Sequence, residues 1–233
     1  MVPGANELAR VATLLADDTR AAICMTLLDG RAWTATELAR QTGVAPSTAS
    51  EHLSKLVAGG LLTQRRQGRH RYLSLAGPHV AELLEDLSGR LSGPSEQCTS
   101  LKAASTSAAL ARARTCYDHL AGRLGVAVTD AMTGTGLLHE SALTERGRGW
   151  FATELGAPDL GTDGPGRRPL VRVCLDWTER RPHLAGVAGA RVCTGFFERG
   201  WIARIGTSRA VQVTPAGHRG LRELFNMDSD ALR

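Results

Sequence analysis

The chain has 233 residues, enough for one large domain or two of about 100 residues each, and its 42% hydrophobic content describes a soluble protein with a core. No stretch approaches the roughly 18 apolar residues of a membrane span, and the first residues lack the layout of a signal peptide. Five scattered cysteines (24, 98, 116, 174 and 193), with no Cys-x-x-Cys pair, speak against a disulfide scaffold or a zinc finger and for a reducing cytoplasm.

Taken in order, the first half reads as short helices. Leu8, Val11, Leu15, Ile23, Leu27 and Leu28 recur mostly at helical spacing, with Asp17 or Asp18 capping a second segment. Thr34 or Thr36 caps a short helix, Glu37 to Thr42, that closes at Gly43. The next helix starts near Pro46-Ser47, runs to Ala58 and turns Ala49, Leu53, Leu56 and Val57 inward. After Gly59-Gly60, Leu61–Arg66 and His70–Leu75 flank the turn Gln67-Gly68-Arg69, which predicts a hairpin. Pro78 opens a last helix with Val80, Leu83, Leu84 and Leu87 on one face.

This order is a winged helix-turn-helix over residues 1–92, followed by a turn-rich linker at 93–100. The fold class expected is mainly α with small β-hairpins, α+β overall. The first hundred residues have no net charge, yet residues 46–75 carry Lys55, Arg65, Arg66, Arg69 and Arg71 against Glu51 alone. A basic stripe on an otherwise acidic module suits a polyanion such as double-stranded DNA. The inward positions leave Ser47, Thr48, Glu51, His52 and Lys55 outward, with Ser50 near the boundary. Small hydroxyl residues at a helix start permit close approach to phosphates and base edges, while hairpin arginines reach the backbone or the minor groove.

Four segments resemble the ArsR-type family of bacterial repressors: Leu15–Arg20, Glu37-Leu38-Ala39, Ser50–Leu56 and Gly60-Leu61-Leu62. The resemblance covers about residues 5–90. It implies a homodimeric winged-helix repressor that leaves its operator when an inducer binds, and it places Ser50, His52 and Lys55 on the recognition helix. Glu51 departs from the pattern, in which a cation is common. The metal-site cysteines of the family's best-known members have no counterpart on the short helix.

Residues 101–233 show no enzyme motif, so the chain is expected not to be an enzyme. Leu101 to Met132 is expected to be one long helical stretch, placing Cys116 and His119 on one face. Around Gly200 the hairpin-like Ile202–Val213 and the capped helix after Thr214 echo the first half, with a further echo near Leu143. A second, diverged winged-helix-like domain, serving as effector or dimerisation domain, is therefore expected at 101–233. Two effector chemistries compete there. Cys116, His119, Cys174 and His183 supply ligands for a soft metal ion or a redox switch. Trp150, Phe151, Trp177, Phe196 and Trp201 supply an apolar pocket for an organic inducer. His183 also pairs with Cys193 as a patch. Two other readings stay open: a thiol enzyme using Cys174, Asp176 and His183, and an architectural DNA-binding protein without an inducer.

Overall fold

The computed structural model describes residues 4–68, 70–91, 101–161, 168–206 and 208–227. Arg69, Ser92 and the expected linker at 93–100 lie outside these residues. By its contacts the chain divides into two units, Met1–Leu84 and Glu85–Arg233.

The first unit contains α1 (Ala5–Leu15), α2 (Asp18–Leu27), β1 (Trp33–Thr34), α3 (Ala35–Thr42), α4 (Pro46–Ala58), β2 (Leu62–Gln67) and β3 (His70–Leu75). Helix α5 (Pro78–Leu91) begins there and runs past the division. Local chemistry sets these boundaries. The Asp17 carboxylate accepts from the Arg20 N–H at 2.9 Å and starts α2. Thr34 and Glu37 form a reciprocal capping box that starts α3, and Gly43, at φ 71°, ends it. Pro46 occupies the first turn of α4, where its missing N–H costs nothing. The strands form one antiparallel sheet in the order β1-β3-β2. The two-residue strand β1 carries too little pattern to be expected from sequence. Ile23, Leu27, Leu38, Ala49, Leu53, Leu56 and Leu73 make the core. Val57, expected inward, is half-buried, and Leu83 and Leu87 of α5 remain exposed.

The second unit continues with α6 (Leu101–Arg112), β4 (Arg114–Cys116), β5 (His119–Ala121), α7 (Gly122–Gly134), β6 (Leu138–His139), β7 (Ala142–Leu143) and α8 (Glu145–Glu154). It then forms β8 (Arg172–Leu175), β9 (Pro182–Ala185), α9 (Gly186–Glu198), β10 (Ile202–Arg204), β11 (Val211–Val213) and α10 (Pro215–Phe225). The long helix expected over 101–132 is therefore interrupted by a hairpin. Its turn places Tyr117 at φ 59°, a conformation that ends helical winding.

Hairpin, helix, hairpin, helix occurs twice. The helix–hairpin–helix order expected around Gly200 is present, and a second copy surrounds Leu143. Each copy also has a leading hairpin that the sequence reading missed. The copies agree in detail. His-Leu-Ala-Gly stands at 119–122 and again at 183–186. Gly122 and Gly186 open helices α7 and α9 at φ +74° and +78°, and a Cβ on either would lie 2.7 Å from a backbone carbonyl oxygen. Only glycine fits there without strain. Thr144 and Thr214 each accept from a glycine N–H at 3.0 Å and donate to a glycine carbonyl at 2.7 Å. One apolar core, including Leu124, Met132, Phe151, Val192, Phe196 and Leu221, joins the copies.

Candidate DNA-facing surface and metal centre

The first candidate surface is the start of α4 with the β2–β3 hairpin. Burial of Ala49, Leu53 and Leu56 fixes the rotation of α4, so Ser47, Thr48, Ser50, Glu51 and Lys55 are exposed. Arg65 and Arg66 are exposed on β2, opposite Tyr72 and Arg71 respectively. Arg71 is half-buried. His52 departs from the expectation that it points outward. It is half-buried, with Nδ1 3.5 Å from the Asp17 carboxylate at the start of α2. Helical spacing alone could not show that α2 reaches this position.

The second candidate lies where the two leading hairpins of the second unit meet. In β4–β5 Cys116 is paired with His119, and in β8–β9 Cys174 is paired with His183. The four ligand atoms lie within 4.8 Å of one another, and all four residues are buried. The expected ligands thus converge, although Cys116 and His119 do so across a hairpin, not along a helix face. Cys193, expected beside His183, instead packs in the main core.

Around the ligands the two copies match again. Asp118 and Asp176 each stand two residues after a cysteine. Asp118 lies 3.5 Å from His119 Nδ1, and Asp176 lies 3.7 Å from His183 Nδ1. Arginine holds both carboxylates: Arg168 contacts both oxygens of Asp118, and Arg114 donates to Asp176 at 2.9 Å. Asp176 also accepts from the Gly122 N–H at 2.6 Å, which ties the copies together. The imidazoles stack with centroids 5.1 Å apart, and none of their four nitrogens makes a hydrogen bond. Orphaned nitrogens at this depth are costly unless something else satisfies them.

The acid–base character follows from this packing. Hydrogen bonding to Cys174 and burial push the Cys116 thiol up to about 12. Burial opposes charge on His119, but Glu85 and Asp118 raise it to about 10. Burial and the neighbouring His119 hold His183 down to about 3. Glu85 is also buried; its Oε2 accepts from the Cys174 thiol at 3.6 Å and lies 3.8 Å from His119 Nε2. The sequence offers Glu85 with His79, Glu82 and Asp86 on the last helix of the first half, without a second histidine, and could not join it to this cluster because α5 is far from the other residues in sequence.

The aromatic pocket does not assemble. Phe151 and Phe196 are fully buried, and Trp150 and Trp201 pack against the same core. Trp177 lies elsewhere, stacked beneath Arg114 with the guanidinium carbon 4.7 Å from its ring centroid. An open cavity of about 500 Å³ is lined by Gly156–Leu160 and one side of α9, with none of the five aromatics. The thiol-enzyme reading also loses support, since Asp176 is engaged by Arg114 and Cys174 is buried.

Among the described residues no helix is long and apolar enough to cross a membrane. A family profile described as a helix-turn-helix domain matches residues 15–65. The chain is 36% identical over 224 residues to the HTH-type transcriptional regulator YdfF of Bacillus subtilis, covering 94% of this chain and 97% of that protein. It is 39% identical over 82 residues to the HTH-type transcriptional regulator CmtR of Mycobacterium bovis, covering 35% and 69% of the two chains. A solved homodimeric winged helix-turn-helix DNA-binding domain of Mb0332 from the same organism has 37% identity and a TM-score of 0.32, covering 34% of this chain and 72% of that one. Near full-length likeness to YdfF, with a helix-turn-helix at the expected residues, assigns the family: the chain belongs to the ArsR-type winged helix-turn-helix transcriptional regulators and is a DNA-binding regulator of transcription.

Proposed function

We propose that the chain is a repressor that binds a discrete operator as a homodimer and releases it when a soft metal ion occupies the second unit. The observation that carries the operator reading is the exposed start of α4, with Ser47 and Thr48, together with the exposed Arg65 and Arg66 of β2. Such a helix fits the major groove, the hydroxyls reach base edges or phosphates, and the arginines hold the backbone. Ser50, Lys55 and Arg71 complete the interface, and Arg69 belongs to it by sequence. His52 contributes by positioning α4 against Asp17. A dimer would read two half-sites one helical turn apart, and the homodimeric state of the Mb0332 domain supports that arrangement.

The converging cysteines and histidines favour a metal over an organic inducer, because the aromatics that would line a pocket are spent on the core. Footprinting with metal-stripped full-length protein tests this reading. Protection of a discrete palindrome, relieved by zinc or another thiophilic ion, is expected. Unbounded protection would indicate an architectural protein, and protection indifferent to metal would overturn the inducer assignment.

A further inference from the structure

We propose that Cys116, His119, Cys174 and His183 form a closed four-coordinate site selective for a divalent thiophilic cation over a monovalent one, with each histidine oriented by its own aspartate. This inference rests on reading the cluster as a metal site, and it specifies the ion's charge, the coordination and the supporting groups.

Three observations carry it. The first is composition: two thiols and two imidazoles are the donor set of tetrahedral zinc sites. A zinc ion about 2.3 Å from each sulfur would set the sulfurs roughly 3.8 Å apart. The ligand atoms are already within 4.8 Å of one another, so a contraction within reach of side-chain motion closes the site.

The second is the surroundings. Metal-bound histidines donate their second N–H to a carboxylate, which fixes the tautomer and the ring plane. Asp118 and Asp176 face the Nδ1 atoms at 3.5 and 3.7 Å, leaving each Nε2 to the ion. The arrangement occurs twice, once in each copy of the repeat. An ion would satisfy the two buried Nε2 atoms, which make no hydrogen bond.

The third is charge. Asp118 is matched by Arg168 and Asp176 by Arg114, while Arg172 lies 2.9 Å from Asp86 and only 4.0 Å from the buried Glu85. The two coordinating thiolates have no cation of their own. A dication neutralises them, whereas a monocation leaves one more buried negative charge uncompensated, which is costly in this medium.

The experiment titrates the reduced, metal-stripped full-length chain with zinc, cobalt(II) and silver(I). Expected are one zinc per chain, displacement of cobalt by zinc, and the intense visible and thiolate charge-transfer bands of four-coordinate cobalt. Cys116→Ser and Cys174→Ser should abolish the thiolate band. Asp118→Asn should keep the band but weaken zinc binding about 10- to 100-fold. The wild-type cobalt spectrum needs no variant to fold. Tight silver binding without zinc or cobalt binding would overturn the dication assignment while leaving a metal effector standing. Six-coordinate cobalt would overturn the closed site. An Asp118→Asn variant with wild-type affinity would overturn the orienting role. If no ion binds, the metal reading itself falls. Zinc that binds as described yet leaves operator affinity unchanged would sink only the inducer assignment.

Discussion

Replacing Arg65 and Arg66 together with alanine should change how DNA binding responds to salt more than it changes the fold. Both side chains are exposed on β2, so their loss should alter stability by no more than about 0.5 kcal/mol each. Each phosphate contact contributes about 0.9 to the slope of log K against log salt, so two lost contacts per protomer lower a dimer's slope by roughly 3.6. Between 50 and 200 mM salt, that difference corresponds to about a 150-fold smaller loss of affinity for the variant than for the parent. Fluorescence anisotropy with an operator fragment across that range measures both slopes, and circular dichroism confirms that the variant is folded. The slope should fall equally on operator and unrelated DNA, because phosphate contacts carry no sequence information. A folded variant with the parental slope would remove the hairpin from the interface. A loss confined to the operator would show instead that these arginines read bases.

Ser47→Ala should change the preferred base at one operator position, while Lys55→Ala weakens all sequences alike; binding selection from a randomised operator separates the two. Thr34→Ala removes the cap of α3 and should cost about 1 kcal/mol in chemical denaturation. The Thr34 backbone and side-chain hydrogen bonds hold the Glu37 carboxyl below its usual value. Its stabilising contribution is therefore complete above about pH 4.5 and fades as pH falls through the lowered folded value, so the parent should lose this increment on acidification, and Thr34→Ala, which keeps the backbone N–H but not the hydroxyl, should lose a smaller one. Arg114→Met leaves the fully buried Asp176 without its cation and should destabilise the second unit by about 3–5 kcal/mol, read as a lower thermal midpoint.

The first unit was legible because its signals are local. Capping by Asp17 and Thr34, termination at Gly43, proline at the start of α4 and alternation through Leu73 and Leu75 each act within a few residues. The position of His52 was not legible, since it depends on α2 approaching α4. In the second unit the four ligands could be picked by residue type, but their geometry could not. Strands of three residues, such as Arg114–Cys116, are too short to show alternation against the helical spacing of Leu110, Leu120 and Leu124. A tyrosine in left-handed backbone at the turn gave no warning either. The signal that was present was repetition: Cys-x-Asp at 116–118 and 174–176, and His-Leu-Ala-Gly at 119–122 and 183–186.

That repetition also explains why the centre sits where it does. One copy supplies a cysteine, a histidine and the aspartate facing it, which is half of the proposed four-coordinate site. The small residues after each histidine let the copies meet: the Cβ positions of Gly125 and Gly189 fall 3.7 and 3.2 Å from the Cβ atoms of His183 and His119 of the opposite copy. Each helix therefore packs beneath the other copy's ligand. Asp176 extends the exchange by accepting from Gly122, and Arg114 of the first copy neutralises Asp176 of the second. Two half-sites that cross-brace in this way hold four donors together before any ion arrives. Gly189→Ala consequently should disturb His119, in the other copy, as well as its own helix. An added methyl would lie 2.5 Å from the Leu184 carbonyl oxygen of its own copy and 3.2 Å from the His119 Cβ, so the helix must move off its own hairpin and His119 must give by a few tenths of an ångström. A cobalt spectrum of the folded variant that matches the parent would show that the copies do not depend on each other for their ligands.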